Sequence, residues 1–326
     1  MSLVAALNEG RTLRRSVAVC YGAGVAVLVA THGVPEGRGE LMALVVGALA
    51  IATIGDRGRV GRLLLDWLPF TLVLMTYDVS RGLATVVSMP LHEGDVASAE
   101  KWLFGGTVPT VWMQQHFYDP HTVRWYDAAA TLIYTSHFLA TPILAAVLWL
   151  RNRSEWLRYI TRVTVLSAGG LLTYVLFPEA PPWYAARDHL IDPVSRLSAR
   201  GWIWLHAGNV EGLLDSAQRD GSNPVAAMPS LHAAFATLVA LCLMARMTSR
   251  WRRLLWLYPA AMGLTLVYTG EHYVLDIVAG VGFAVAVNWA IGQWEARRAA
   301  RIVAPVTSGE EVSCATAWIY GTEMAV

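Results

Sequence analysis

Two histidines and an aspartate carry types and spacings that could do chemistry. Met228-Pro229-Ser230-Leu231-His232-Ala233-Ala234 is followed, forty residues after His232, by Gly270-Glu271-His272-Tyr273-Val274-Leu275-Asp276. Proline and serine ahead of an apolar run are helix-start signals, so Pro229 falls near a first turn, Ser230 can cap amides, and His232 stands at a helix entrance. His272 and Asp276 are four apart and share one face if both are helical. A carboxylate so placed fixes the imidazole tautomer and raises its basicity. Two imidazoles and a carboxylate at one depth are the parts for covalent phosphoryl transfer, in which one ring attacks phosphorus and the other protonates the departing oxygen. Two histidines and an aspartate can also hold zinc, but no fourth ligand or water-activating glutamate is evident beside them, and Glu271 would point elsewhere on a helix. Neither a metal nor a cofactor is expected.

The elements that must position these residues are membrane spans. The 326-residue chain is 55% hydrophobic and 15% charged, with a mean hydropathy of +0.43, a balance far from that of a soluble domain. A net charge of +1 gives no basic excess for nucleic acid. Cys20, Cys242 and Cys314 are too few and too scattered for a disulfide framework or a metal knuckle. Apolar stretches long enough to cross a bilayer lie near 16–34, 40–55, 63–86, 127–150, 159–178, 229–246, 254–270 and 273–292. About eight transmembrane helices are therefore predicted, the first retained because no small-residue cleavage site follows it.

Arginines separate the connecting loops into two sets. Arg11, Arg14 and Arg15, then Arg57, Arg59 and Arg62, then Arg151, Arg153 and Arg158, then Arg246, Arg250, Arg252 and Arg253, and finally Arg297, Arg298 and Arg301 fall in alternate loops, which should be cytoplasmic. Loops from about 87 to 126 and 179 to 228 should then lie outside, with both termini inside. His232 and His272 each begin a span running inward, so both sit at the outer surface, although the arginine count made no use of them. The outer loops hold Trp102, Trp112, Trp125, Trp183, Trp202 and Trp204, which suit the headgroup layer and together could roof a lipid cleft. The expected organisation is an N-terminal segment with two extra spans over 1–62, a catalytic membrane domain over 63–296 and a cytoplasmic tail over 297–326.

The motif Pro229-Ser230-Leu231-His232 with His272 through Asp276 resembles the type-2 phosphatidic acid phosphatase superfamily. Leucine in place of the usual glycine, and Tyr273 after His272, are similar to the branch of inositol phosphorylceramide synthase and sphingomyelin synthase. So are Phe177-Pro178-Glu179-Ala180-Pro181-Pro182-Trp183, Tyr77-Asp78 with Arg81-Gly82, and Leu103-Phe104-Gly105-Gly106 with Pro109-Thr110. The resemblance runs from about 60 to 292. It implies an all-α integral membrane protein, a bundle with a six-helix phosphatase-like core plus two N-terminal spans. It also implies His272 as nucleophile through phosphohistidine, Asp276 as its orienting partner and His232 as the general acid. Ser230, Tyr273 and Trp183, which lie in these motifs, are expected beside a lipid-phosphate substrate. Departures are the missing Lys-x6-Arg-Pro element, Thr265-Leu266 where Ser-Arg would stand, and Glu179 at a position where a small hydroxyl residue is usual.

Phosphoryl transfer still needs a cation to offset developing charge. Arg81, at the outer end of the third span, is the candidate, against a structural pairing with Asp78; Arg124, Arg187 and Lys101 stand behind it. His137, beside Ser136, is read as a packing or hydrogen-bonding residue. The reading is a lipid phosphotransferase in the cell membrane, with a phosphatase as the alternative and a transporter or structural membrane protein as the reading from a different class.

Overall fold

Without water to satisfy them, amides in apolar runs turn inward as helical hydrogen bonds, and helices account for the architecture. The computed structural model describes residues 3–32, 38–79, 89–206 and 225–303. Helices α1 (Leu3–His32), α2 (Arg38–Ala52) and α3 (Arg57–Val79) are followed by two short ones, α4 (Asp95–Leu103) and α5 (Pro109–Phe117). Then come α6 (Trp125–Arg151), α7 (Arg153–Leu176), α8 (Pro182–Arg187), α9 (Gly201–Trp204) and α10 (Leu231–Met244). A 3-10 turn (Arg250–Trp256) leads into α11 (Leu257–Tyr268) and the last helix, α12 (Val274–Val303).

Eight of these helices answer to the eight apolar stretches. Four contain segments long and apolar enough to cross a membrane, over residues 12–31, 125–151, 153–176 and 274–301, and the chain is an all-α, multi-pass membrane protein. Two of the others are shorter than the sequence suggests. α10 and α11 have 14 and 12 residues, roughly 18–21 Å of helix against a hydrocarbon core of about 30 Å. The predicted seventh span, 254–270, loses its first three residues to the 3-10 segment. The stretch from 87 to 126, expected from the sequence as a long outer loop, contains helix: α4 turns Val96, Ala97 and Glu100 inward, and Pro109 opens α5 at its first turn.

The segments carrying Arg153 and Arg246 meet at one end of the bundle. Arg153 holds Asp66 with a fork, Nε at 2.8 Å and Nη2 at 2.6 Å, and Trp149 Nε1 donates to the same carboxylate at 2.9 Å. Arg246 reaches Glu155 at 2.6 Å, tying the end of α10 to the start of α7. Asn152 makes the turn between α6 and α7 and caps the latter through Ser154 N and Glu155 N. Midway along α7, glycine lets two neighbours approach: a Cβ at Gly169 would meet the Phe283 ring and one at Gly170 the Leu231 side chain. α7 is thereby seated against both α10 and α12, whose first residues lie at the opposite end from the arginines. The chain divides into two units, Met1–Asn288 and Trp289–Val326. In the second, the end of α12 carries Arg298 with its guanidinium 5.5 Å from the Trp294 ring.

Candidate active site

Ser230 is the N-cap of α10, its hydroxyl accepting from Ala233 N at 3.4 Å, and His232 is the second residue of that helix. His272 precedes α12 instead of lying on it, which differs from the helical-face reading of the sequence. The contact with Asp276 survives because Asp276 sits in the first turn of α12, where its Oδ2 accepts the Tyr273 N–H at 2.8 Å and lies 3.5 Å from His272 Nδ1. Asp276 thus stands beside Nδ1, and Nε2 is the ring nitrogen turned away from it. Nε2 is 3.4 Å from His232 Nδ1. Asp276 is completely buried and His272 nearly so, so their electrostatic contact is little screened.

The two entrances are held together by backbone. Ser230 N donates to the Asp276 carbonyl at 3.0 Å, and Tyr174 Oη donates to the Pro229 carbonyl at 2.9 Å. Gly280 on α12 faces this loop; a Cβ there would run into the Ser230 carbonyl oxygen. The turn before His272 needs glycine as well: Gly270 has φ +78°, and a Cβ would lie 3.0 Å from the Ser195 carbonyl oxygen. Gln114 clamps the same turn, donating to the carbonyls of Ser195 and Tyr268 and accepting from Ser195 N.

The remaining residues singled out by sequence fall in different places. Trp183 reaches the site through its backbone N–H, which donates to the Gly270 carbonyl at 3.2 Å. Tyr273 is fully buried in an apolar cluster with Val96, Val108, Ala185 and Ile191. Ser230 is likewise buried, as a cap. Arg81 lies outside the described residues. Arg124 is 3.6 Å from Asp119, and Arg187 pairs with its neighbour Asp188. Ser136 donates to the Ile133 carbonyl and meets Tyr258 Oη at 2.9 Å.

Three acids and an arginine stand around His272 and Asp276; Glu100 and Arg196 have no signal in the sequence, and Glu271 and Glu179 are noted there without a role. Glu271, next to the nucleophile candidate, holds Arg196 in a two-pronged pair at 2.8 and 3.0 Å and takes the Ser198 hydroxyl at 2.5 Å. Burial alone would raise its carboxyl, but the Arg196 charge and these hydrogen bonds, with His272 nearby, hold it below the usual range. The Arg196 guanidinium also lies 5.0 Å from the Trp183 ring. Glu100, fully buried, reaches from α4 to accept Leu275 N at 3.1 Å at the start of α12; burial and then the Asp276 charge push it up to about 7, against the pull of that backbone bond. Glu179 is also fully buried, and neither of its oxygens has a hydrogen-bond partner. Burial, followed by the charges of Asp276 and Glu100, drives its carboxyl far above the carboxylate range. No group of three metal-ligating side chains with suitable geometry occurs among the described residues.

Paired imidazoles with a buried carboxylate behind one of them, at one end of an apolar helical bundle, form the candidate active site of a membrane-embedded enzyme. Comparison with known proteins gives the same class. Residues 95–290 match the model of the PAP2 superfamily, and the chain belongs to that superfamily. It is 26% identical over 234 residues to the phosphoinositol dihydroceramide synthase of Bacteroides thetaiotaomicron, covering 67% of this chain and 73% of that protein. No solved structure matches the chain. The protein is an enzyme acting on lipid phosphates.

Proposed function

We propose that the enzyme is a phosphotransferase that moves a phosphoryl headgroup from a lipid-linked donor to a hydroxyl acceptor through phosphohistidine. The observation that carries this reading is the contact of His272 Nε2 with His232 Nδ1 while Asp276 faces the other nitrogen of His272. In the first step the Nε2 lone pair attacks phosphorus, the bond to the lipid oxygen breaks, and His232 gives that oxygen its proton. Asp276 offsets the positive charge the His272 ring acquires. In the second step the now neutral His232 takes the proton of the acceptor hydroxyl, whose oxygen attacks phosphorus and frees Nε2. At 3.4 Å the two nitrogens leave no room for a phosphoryl group in line, so substrate entry moves the rings apart.

The synthase relative suggests a phosphoinositol-bearing donor and an acceptor of the dihydroceramide kind. Charge on the transferring group would be met by Arg81 or by Arg196, whose guanidinium is fixed by its two-pronged pair with Glu271 next to His272 in the chain. Ser230, Tyr273 and Trp183 are proposed to shape the substrate site, Ser230 and Tyr273 from behind and Trp183 from its wall. Catalysis belongs to residues 63–296, with 1–62 and 297–326 outside it. The arginine distribution supports a protein of the cell membrane with both termini cytoplasmic and the site on the extracytoplasmic face.

The test is turnover of a panel of lipid phosphates by purified protein, with and without alcohol acceptors. His272→Ala, Asp276→Ala and His232→Ala should each lose at least about 100-fold in kcat, and Arg81→Gln or Arg196→Gln, whichever meets the phosphate, should raise KM about 10-fold. Release of inorganic phosphate in every acceptor mixture, with no transfer product, would mean a phosphatase. Full turnover by a folded His272→Ala protein would rule out both.

A further inference from the structure

His232 has a second histidine against it that the proposed chemistry does not use. His137, on α6, places its ring centroid 4.1 Å from that of His232 at an interplanar angle of 39°. This is closer than the 5.5 Å between the rings of His232 and His272. Tyr134, one turn earlier on α6, stacks on His232 at 5.1 Å and 24°, and Phe138 meets it edge-on at 6.2 Å. Residues 134, 137 and 138 stand at i, i+3 and i+4 and therefore present one continuous face to the start of α10. The face is itself well anchored. Tyr134 is buried with Ala233, Ala236, Met262 and Leu266, and His137 is braced by Phe138 at 5.0 Å and Phe235 at 5.7 Å.

An imidazole on the second residue of a helix turns about two side-chain bonds, and its backbone alone does not decide which ring edge meets His272. We infer that His137 is a positioning residue of the transfer site: its ring, packed on His232 beside Tyr134, holds that imidazole with Nδ1 turned towards His272. The inference rests on the reading of His232 as the proton-transferring partner. A group so held serves both half-reactions, because the same ring must give a proton to the departing oxygen and then take one from the acceptor. Release of the ring costs orientation and not substrate affinity, and misplacement of a catalytic group by about 1 Å is worth on the order of 100-fold in rate.

The experiment compares His137→Ala, His137→Phe and His137→Gln with His232→Ala and wild type, as full-length purified protein, on the best lipid substrate of the panel. Thermal unfolding and formation of acid-labile phosphoprotein are recorded alongside turnover. His137→Ala should lower kcat about 10- to 100-fold with KM within about 3-fold, and slow phosphoprotein formation to match. His137→Phe keeps a flat ring without nitrogens and should recover kcat to within about 5-fold of wild type. Recovery by Gln but not Phe would overturn the inference, since a hydrogen bond and not ring packing would then be at work. So would a folded His137→Ala protein with unchanged kcat while His232→Ala is inactive. Activity retained in His232→Ala would instead bring down the reading of His232 on which the inference stands.

Discussion

Asp276 meets two demands at once, and the second explains why acids cluster behind it. Its Oδ2 faces His272 and also accepts the Tyr273 N–H, so it belongs both to the site and to the first turn of α12, where the helix dipole favours negative charge. Glu100 serves the same helix end through Leu275 N. All three carboxyls are fully buried, and Glu179, whose oxygens have no hydrogen-bond partner, is driven furthest towards its protonated form. The sign of the effect follows from the raised carboxyls. A glutamate that holds its proton more tightly folded than unfolded costs stability once the unfolded chain can ionise, above about 4.5. For Glu100 the cost grows up to about 7, and for Glu179 it continues into the alkaline range. Thermal unfolding in detergent should therefore move to lower temperature as pH rises from 5 to 9. Glu179→Gln, neutral at every pH, should flatten that slope and unfold roughly 5 °C higher than wild type at pH 8; parallel profiles for the two proteins would show that Glu179 is not protonated in the fold. None of this was legible from the sequence, where Glu179 was a departure from a motif and Glu100 one acid in an outer loop. Burial of a charge is a tertiary fact, and His232 with His272 could be found only because their helix-start contexts are local.

At the scale of elements, the long apolar helices announced themselves by composition, since a lipid solvent leaves few ways to satisfy a backbone. The helices that build the site did not. α4 and α5 have nine residues each, below the length at which apolar periodicity stands out, and Pro109, which opens α5, figured in the sequence only within a motif. The His272–Asp276 contact was anticipated through the wrong element: spacing by four suggested a helical face, whereas the structure uses a pre-helical turn closed by Gly270 and the first turn of α12. The close approach of α12 to the Ser230 loop gives this level its own test. On helix propensity alone Gly280→Ala should stabilise α12 by about 1 kcal/mol. The added methyl would collide with the Ser230 carbonyl, and the Ser230 N to Asp276 carbonyl bond that ties the two entrances would have to open. Steric overlap with backbone is the larger effect, so Gly280→Ala should lose at least about 10-fold in kcat as His232 shifts from His272. A variant that is both more stable and fully active would show that the loop yields without moving the histidines.

For the whole molecule, the two ends of the bundle differ in what they hold. One gathers Asp66, Arg153, Glu155 and Arg246 in short ion pairs; the other gathers Trp183, Arg196, His232 and His272. Arg153 and Arg246 belong to two of the arginine-bearing loops that the sequence sets apart from the segments carrying Trp183 and Arg196, since alternating loops of a bundle emerge at alternating ends. Which end faces the cytoplasm is a statement about the membrane, and it rests on the preference of basic loops for the inside. Leu190 and Trp251 are exposed residues suited to testing it: Leu190 follows α8 at the site end, and Trp251 lies in the 3-10 turn after Arg250. In a background with Cys20, Cys242 and Cys314 replaced, Leu190→Cys should react with an impermeant maleimide on intact cells. Trp251→Cys should react only after permeabilisation. The reverse pattern would turn the protein over and put His272 at the cytoplasmic face. The donor lipid and acceptor would then have to be drawn from the inner leaflet, while the chemistry proposed for the histidine pair would be unchanged, because orientation decides which substrates arrive and not how His232 and His272 are set against each other.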